Sequence, residues 1–184
     1  MKLKGLKKTG NGKALKSYEL YYENEEGYKK TYEIISHSDM KDKEELGNHI
    51  SGVSLCIFRD DKMLLLREFR MGVNRFVYNL CAGMQEEGES IEDAAKRELY
   101  EETGLELSRI IKILPPAYAA VTISDIKNQM IFAEALGETK DHSTPSENIK
   151  AAFYTREEVA RLLETETFAT RAQVLAYLFS EGKI

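Results

Sequence analysis

The chain has 184 residues, 42% of them hydrophobic and 31% charged, with a formal net charge of −5. That length suffices for one sizeable core, and no apolar run approaches the ~18 residues of a membrane span. The acidic balance argues against a nucleic-acid polymer as main ligand, though not against a small anion held through a metal. The basic start, residues 1–13, lacks the apolar core of a secretion signal. Residues 17–22 and 28–35 alternate apolar and polar side chains around a turn at 24–27, which predicts a β-hairpin. Strand-like runs follow at 53–58, 63–69 and 76–81. Ser90 and Gly104 then bracket a helix, and 110–114, 118–123, 130–135 and 151–154 read as further strands. Thr155 with Glu158 forms a capping box that opens a helix to residue 163, and 170–179 reads as the last helix. Strands, one loop–helix–loop, more strands and terminal helices predict an α/β sandwich with a mixed sheet. The hairpin in residues 1–40 stands ahead of a main domain at 41–184. Cys56 and Cys81 lie in apolar strands without CxxC spacing, the pattern of free buried thiols in a reducing, cytosolic setting.

Residues 83–105 read GMQEEGESIEDAAKRELYEETGL and carry the chemistry. Ser90 is the expected N-cap, with Asp93 as an imperfect capping-box partner, and Gly104 sits at a left-handed C-cap. Ile91, Ala94, Ala95 and Leu99 form the stripe for burial. Glu98, Glu101 and Glu102, three and four apart, project from one face. Helix stability disfavours that arrangement: like charges at i,i+4 cost roughly 0.2–0.5 kcal/mol per pair. Glutamates in the last turn also oppose the macrodipole. Arg97 offsets part of this through Glu101. The bland alternative is a solvated acidic face; a function accounts better for the broken rule. Gathered hard oxygens suit Mg²⁺ or Mn²⁺, which would neutralise phosphoryl oxygens and lower the pKa of a bound water.

The run fits G-x5-E-x7-R-E-U-x-E-E-x-G-U (U aliphatic) at every fixed position and resembles the signature of the Nudix hydrolases. The resemblance implies metal-dependent hydrolysis of a nucleoside diphosphate linked to another group. It implies Glu98, Glu101 and Glu102 as metal ligands with the Ala82 carbonyl, Arg97 bracing the glutamates, and Glu89 nearby. Residues 64–70, Ala82-Gly83, a PP-A-Y-A segment and the terminal helices extend the likeness to the ADP-ribose pyrophosphatase branch. That branch implies a homodimer with exchanged N-terminal strands, Arg70 near the diphosphate-sugar, Arg67 with a weaker claim, and Glu147 in the loop 141–149 as base. The alternatives for Arg70 and Glu147 are a surface arginine and a solvated loop carboxylate. Tyr32 and its neighbours Tyr21, Tyr22 and Tyr28 offer either a face for a nucleobase or packing for a dimer.

The chain departs from the branch at Asn79, Cys81, Thr122 and Ile126, where Glu, Pro, Gly and Glu are common. The proline often found roughly sixteen residues beyond the box, a sequence marker for ADP-ribose specificity, is also missing. These changes fall on sugar or base recognition and leave the metal helix intact. The expected reaction is cleavage of ADP-ribose to AMP and ribose 5-phosphate. The rivals are another nucleotide substrate, such as a nucleoside triphosphate or other nucleotide sugar, and a non-catalytic nucleotide sensor.

Overall fold

The structure is a computed structural model that describes residues 1–140 and 148–184. In chain order the first strands are β1 (Lys2–Asn11), β2 (Lys16–Glu23), β3 (Lys29–Ser36), β4 (Ile50–Arg59), β5 (Lys62–Arg70), β6 (Arg75–Asn79) and β7 (Cys81–Met84). Helix α1 (Ile91–Thr103) follows, then β8 (Glu106–Ile113), β9 (Ala117–Tyr118), β10 (Lys127–Leu136) and β11 (Ile149–Tyr154). The chain finishes with α2 (Arg156–Thr165) and α3 (Thr170–Ser180). It divides into two units: Met1–Ser51 with Pro116–Gln129, and Gly52–Pro115 with Met130–Ile184.

In the first unit β1, β2 and β3 form an antiparallel sheet in that order. The expected turn is present: Asn24 Oδ1 accepts from the Glu26 and Tyr28 amides, and Gly27 takes φ 83°. Tyr18, Leu20, Ile34 and Met40 make the core, and the Tyr18 hydroxyl accepts from the Met40 amide at 2.7 Å. Strand β1 turns the expected hairpin into a three-stranded sheet. Its register shifts twice, between Leu3 and Gly5 and between Lys8 and Gly10, so its apolar residues do not alternate and the period-2 signal is lost. Its many lysines suit an edge strand.

A second expectation fails at 118–123. Strand β9 stops at Tyr118, and the chain turns through Ala120 to Ser124, whose amide donates to the Ala120 carbonyl at 2.9 Å. Val121 and Ile123 are exposed there, so their β-branching marks no buried strand.

In the second unit the sheet runs β11-β5-β4-β10-β8, with β6 on β5 and β7 on β4. Alternation along the strands builds two apolar layers. Val53, Leu55, Ile57, Leu64 and Leu66 pack with Ala94, Ala95 and Leu99 of α1. Cys56, Met63 and Leu65, on the opposite face, pack with Val159 of α2 and Ala172, Ala176 and Phe179 of α3. Helices on both faces of one sheet give the α/β sandwich expected from the sequence. The expected strand 76–81 is broken at Leu80, where the chain passes from β6, paired with β5, to β7, paired with β4. Cys56 and Cys81 are free and buried, and no helix among the described residues is long and apolar enough to cross a membrane.

Candidate active site

Helix α1 is fixed at both ends as its sequence dictates. The Ser90 side chain accepts from the Asp93 amide at 3.1 Å, and Gly104 ends the helix in the left-handed region at φ 73°. With Ala94, Ala95, Leu99 and Thr103 buried, the register of the remaining face is set, and it carries the glutamates.

Arg97 organises them. Its Nε and Nη2 donate to the two carboxylate oxygens of Glu89, both at 2.9 Å, in a bidentate fork. Nη2 also donates to the Met84 carbonyl at 2.8 Å. Nη1 donates to Glu98 at 2.8 Å and to Glu101 at 3.2 Å. One guanidinium thus ties three carboxylates and the signature loop together. Glu89, foremost among its partners, raises the Arg97 pKa, and the same contact lowers that of Glu89.

The loop meets α1 at glycine. A Cβ on Gly83 would fall 1.8 Å from Cδ of Glu98, so a side chain there would take the space of the carboxylate. Gly52 on β4 is equally constrained, because its Cβ would lie 2.0 Å from the Gly83 carbonyl oxygen. Beside this contact the Ala82 amide donates to Glu102 at 3.1 Å. Desolvation pushes the Glu102 carboxyl up to about 7, with Glu68 and Glu98 adding to the rise. Burial also raises Glu98, against the pull of Arg97.

Glu68 was not anticipated as a site residue. It is a carboxylate only 5% exposed on β5, bonded by Asn79 at 2.7 Å and by Arg70 at 3.3 Å. Its signal was present: by strand parity it shares a face with Leu64 and Leu66, where a charge needs a reason. Arg70 reaches the same carboxylate while leaving much of its own side chain exposed. Arg67 points to the opposite face of β5, its guanidinium 4.1 Å from the centroid of the Phe76 ring. The structure therefore brings together Arg70, Glu68, Ala82, Glu102, Glu98, Arg97, Glu101 and Glu89, and leaves Arg67 apart. Tyr32 lies in the first unit, where its hydroxyl donates to the Thr122 carbonyl at 2.6 Å. Glu147 falls outside the described residues.

Among the described residues no three acidic, thiol or imidazole side chains converge as a ready-made metal cage. The carboxylates are instead shared between Arg97 and the Ala82 amide. Their chemistry still fits a hard divalent cation, because burial raises the proton affinity of Glu98 and Glu102, and the charges of Glu68 and Glu98 add to the rise at Glu102. A cation would relieve that repulsion.

A family profile described as the NUDIX domain matches residues 48–178. The chain is 29% identical over 141 residues to the ADP-ribose pyrophosphatase of Bacillus subtilis (strain 168), covering 74% of this chain and 76% of that protein. It is 31% identical over 81 residues to the ADP compounds hydrolase NudE of Escherichia coli (strain K12), covering 42% of this chain and 44% of that one. A crystal structure of an ADP compounds hydrolase superposes on it with a TM-score of 0.70 at 20% identity, over 100% of this chain and 96% of the other, a likeness of fold.

Proposed function

The chain belongs to the Nudix hydrolases, and from that premise we propose that it cleaves the diphosphate bond of a nucleoside diphosphate-sugar, with ADP-ribose as substrate and Mg²⁺ as cofactor. One observation supports this reading above the rest. Enclosed carboxylates on α1 and β5 stand beside Arg70, which pairs a cation-binding face with a guanidinium suited to phosphate oxygens. The match to the Bacillus subtilis pyrophosphatase supports the sugar.

Glu98, Glu101 and Glu102, with the Ala82 carbonyl, are the residues that would hold the cation. When bound, it supplies charge neutralisation at the phosphoryl oxygens and lowers the pKa of water. Arg97 keeps Glu89, Glu98 and Glu101 in fixed orientation, so that little rearrangement accompanies reaction. Arg70 donates to the diphosphate and holds the bridge in place. A water oxygen bonds to one phosphorus as the bridging P–O bond breaks, leaving AMP and ribose 5-phosphate. Residues 1–40 are taken as the dimerisation segment, a reading that rests on the resemblance to the branch.

The decisive experiment is AMP release from ADP-ribose by the purified chain, in Mg²⁺ and in EDTA, beside other nucleotide sugars and triphosphates. Mg²⁺-dependent release with the highest kcat/KM for ADP-ribose is expected. A higher value for another panel member would overturn the substrate assignment and move attention to Asn79, Cys81 and Ile126. Turnover in EDTA would overturn the role of the glutamates.

A further inference from the structure

Glu68 is a carboxylate set among apolar neighbours. The residues paired with it across the sheet, Val77 on β6 and Ile149 on β11, are 7% and 8% exposed, and neither side chain carries a donor. Leu66, two residues before it on the same face of β5, is fully buried. Among the described residues two side chains answer the carboxylate, one for each oxygen. Asn79 lies opposite Leu66 and reaches Glu68 on the diagonal, its Nδ2 donating to Oε1 at 2.7 Å. Arg70 donates Nη1 to Oε2 at 3.3 Å. The two donors differ in setting: Asn79 is neutral and half-buried, whereas Arg70 has 59% of its side chain exposed. A buried anchor thus holds a guanidinium that faces solvent.

An exposed arginine samples many rotamers, and ordering it on a ligand costs entropy. A bond formed beforehand removes part of that cost. Arg70 touches Glu68 through Nη1 alone, so the contact steers the guanidinium and keeps other N–H groups for phosphate oxygens. A carboxylate only accepts, so Asn79 must present its amide nitrogen, and a second carboxylate at 79 would push Glu68 away. We propose that Asn79 and Glu68 are positioning residues: Asn79 fixes the Glu68 carboxylate, and Glu68 holds Arg70 in the orientation that receives the diphosphate. The proposal rests on the hydrolase reading for the identity of the ligand, while the clamp is a property of the chain without substrate.

Two readouts separate the clamp from its use. Nitrogen relaxation of the Arg70 Nε–H group by NMR, assigned with Arg70→Lys, reports its order in the full chain without substrate. KM and kcat for ADP-ribose at saturating Mg²⁺ report what that order does. Asn79→Asp should lower the order of Arg70 and raise KM roughly tenfold, with a smaller fall in kcat. Combining it with Glu68→Gln again sets one donor against one acceptor and leaves an oxygen for Arg70. Order should then recover, and KM should return to within about threefold of the unaltered chain. Should Asn79→Asp unfold, Glu68→Ala beside Glu68→Gln gives a second reading: alanine should free Arg70, and glutamine, which keeps an acceptor, should retain most of its order. Undiminished order in folded Asn79→Asp or Glu68→Ala, or no recovery in the double variant, would overturn the proposal. So would a loss confined to kcat and Mg²⁺ affinity, which would give Glu68 to the cation. Order that falls and recovers as expected, in a chain that cleaves no ADP-ribose, would uphold the clamp and overturn the substrate reading instead.

Discussion

Gly83 is kept free of a side chain by Glu98. Adding one methyl at a point 1.8 Å from the carboxylate carbon must displace either the loop or the glutamate, and the glutamate is the softer of the two. Gly83→Ala is therefore expected to fold and to lose roughly 10–100-fold in metal affinity, the usual cost of disturbing an orienting contact. A Mg²⁺ titration of activity with circular dichroism alongside would read this, and a wild-type titration curve would remove Glu98 from the site. Glu102 makes a second residue-scale prediction. Burial lifts its carboxyl from 4.5 to about 7, so without metal the folded chain holds a proton that the unfolded chain releases first. The stabilising contribution is complete below the unfolded pKa, declines as pH rises, and is lost above about 7, a change of about 3 kcal/mol. Melting in EDTA should therefore move to lower temperature between pH 5 and pH 7.5, and Glu102→Gln should flatten this slope. An unchanged slope in the variant would assign it to another group.

At the scale of elements, capping chemistry was legible. Ser90, Gly104 and the Thr155–Glu158 box all appear where side-chain stereochemistry demanded them. Thr155 and Glu158 satisfy each other's amides at 3.3 and 2.8 Å. Thr155→Ala should cost about 1 kcal/mol and lower Tm by roughly 2–4 °C, with kcat unchanged; equal melting would show α2 held by packing alone. The elements that sequence missed share a cause. Strand β1 has a shifting register, and residues 118–123 are apolar without being buried. Hydrophobic periodicity reports burial on a regular lattice, so bulges and exposed valines mislead it.

For the whole molecule, the first unit is discontinuous: residues 116–129 belong with the N-terminal fifty-one. Residues 1–40 supply Tyr18, Leu20, Ile34 and Met40, the buried core of that unit. Deleting them should yield aggregate rather than a clean fragment, as judged by size exclusion and circular dichroism; a soluble, folded product would show that residues 41–51 and 116–129 are stable without that core. What the sequence alone determined is the family, the helix with its capping residues and the carboxylates that the helix itself carries, because these depend on residue types at short, fixed separations. The tertiary structure decided which distant residues share the site. Glu68 approaches Glu102, and Asn79 bonds Glu68, only because β5, β6 and β7 bring these segments together, and Arg67 is turned to the other face by strand parity. Gly52 must lack a side chain only because another backbone passes within 2.0 Å of where its Cβ would be. Such demands are made by strand pairing between segments far apart in the chain, where local spacing carries no information.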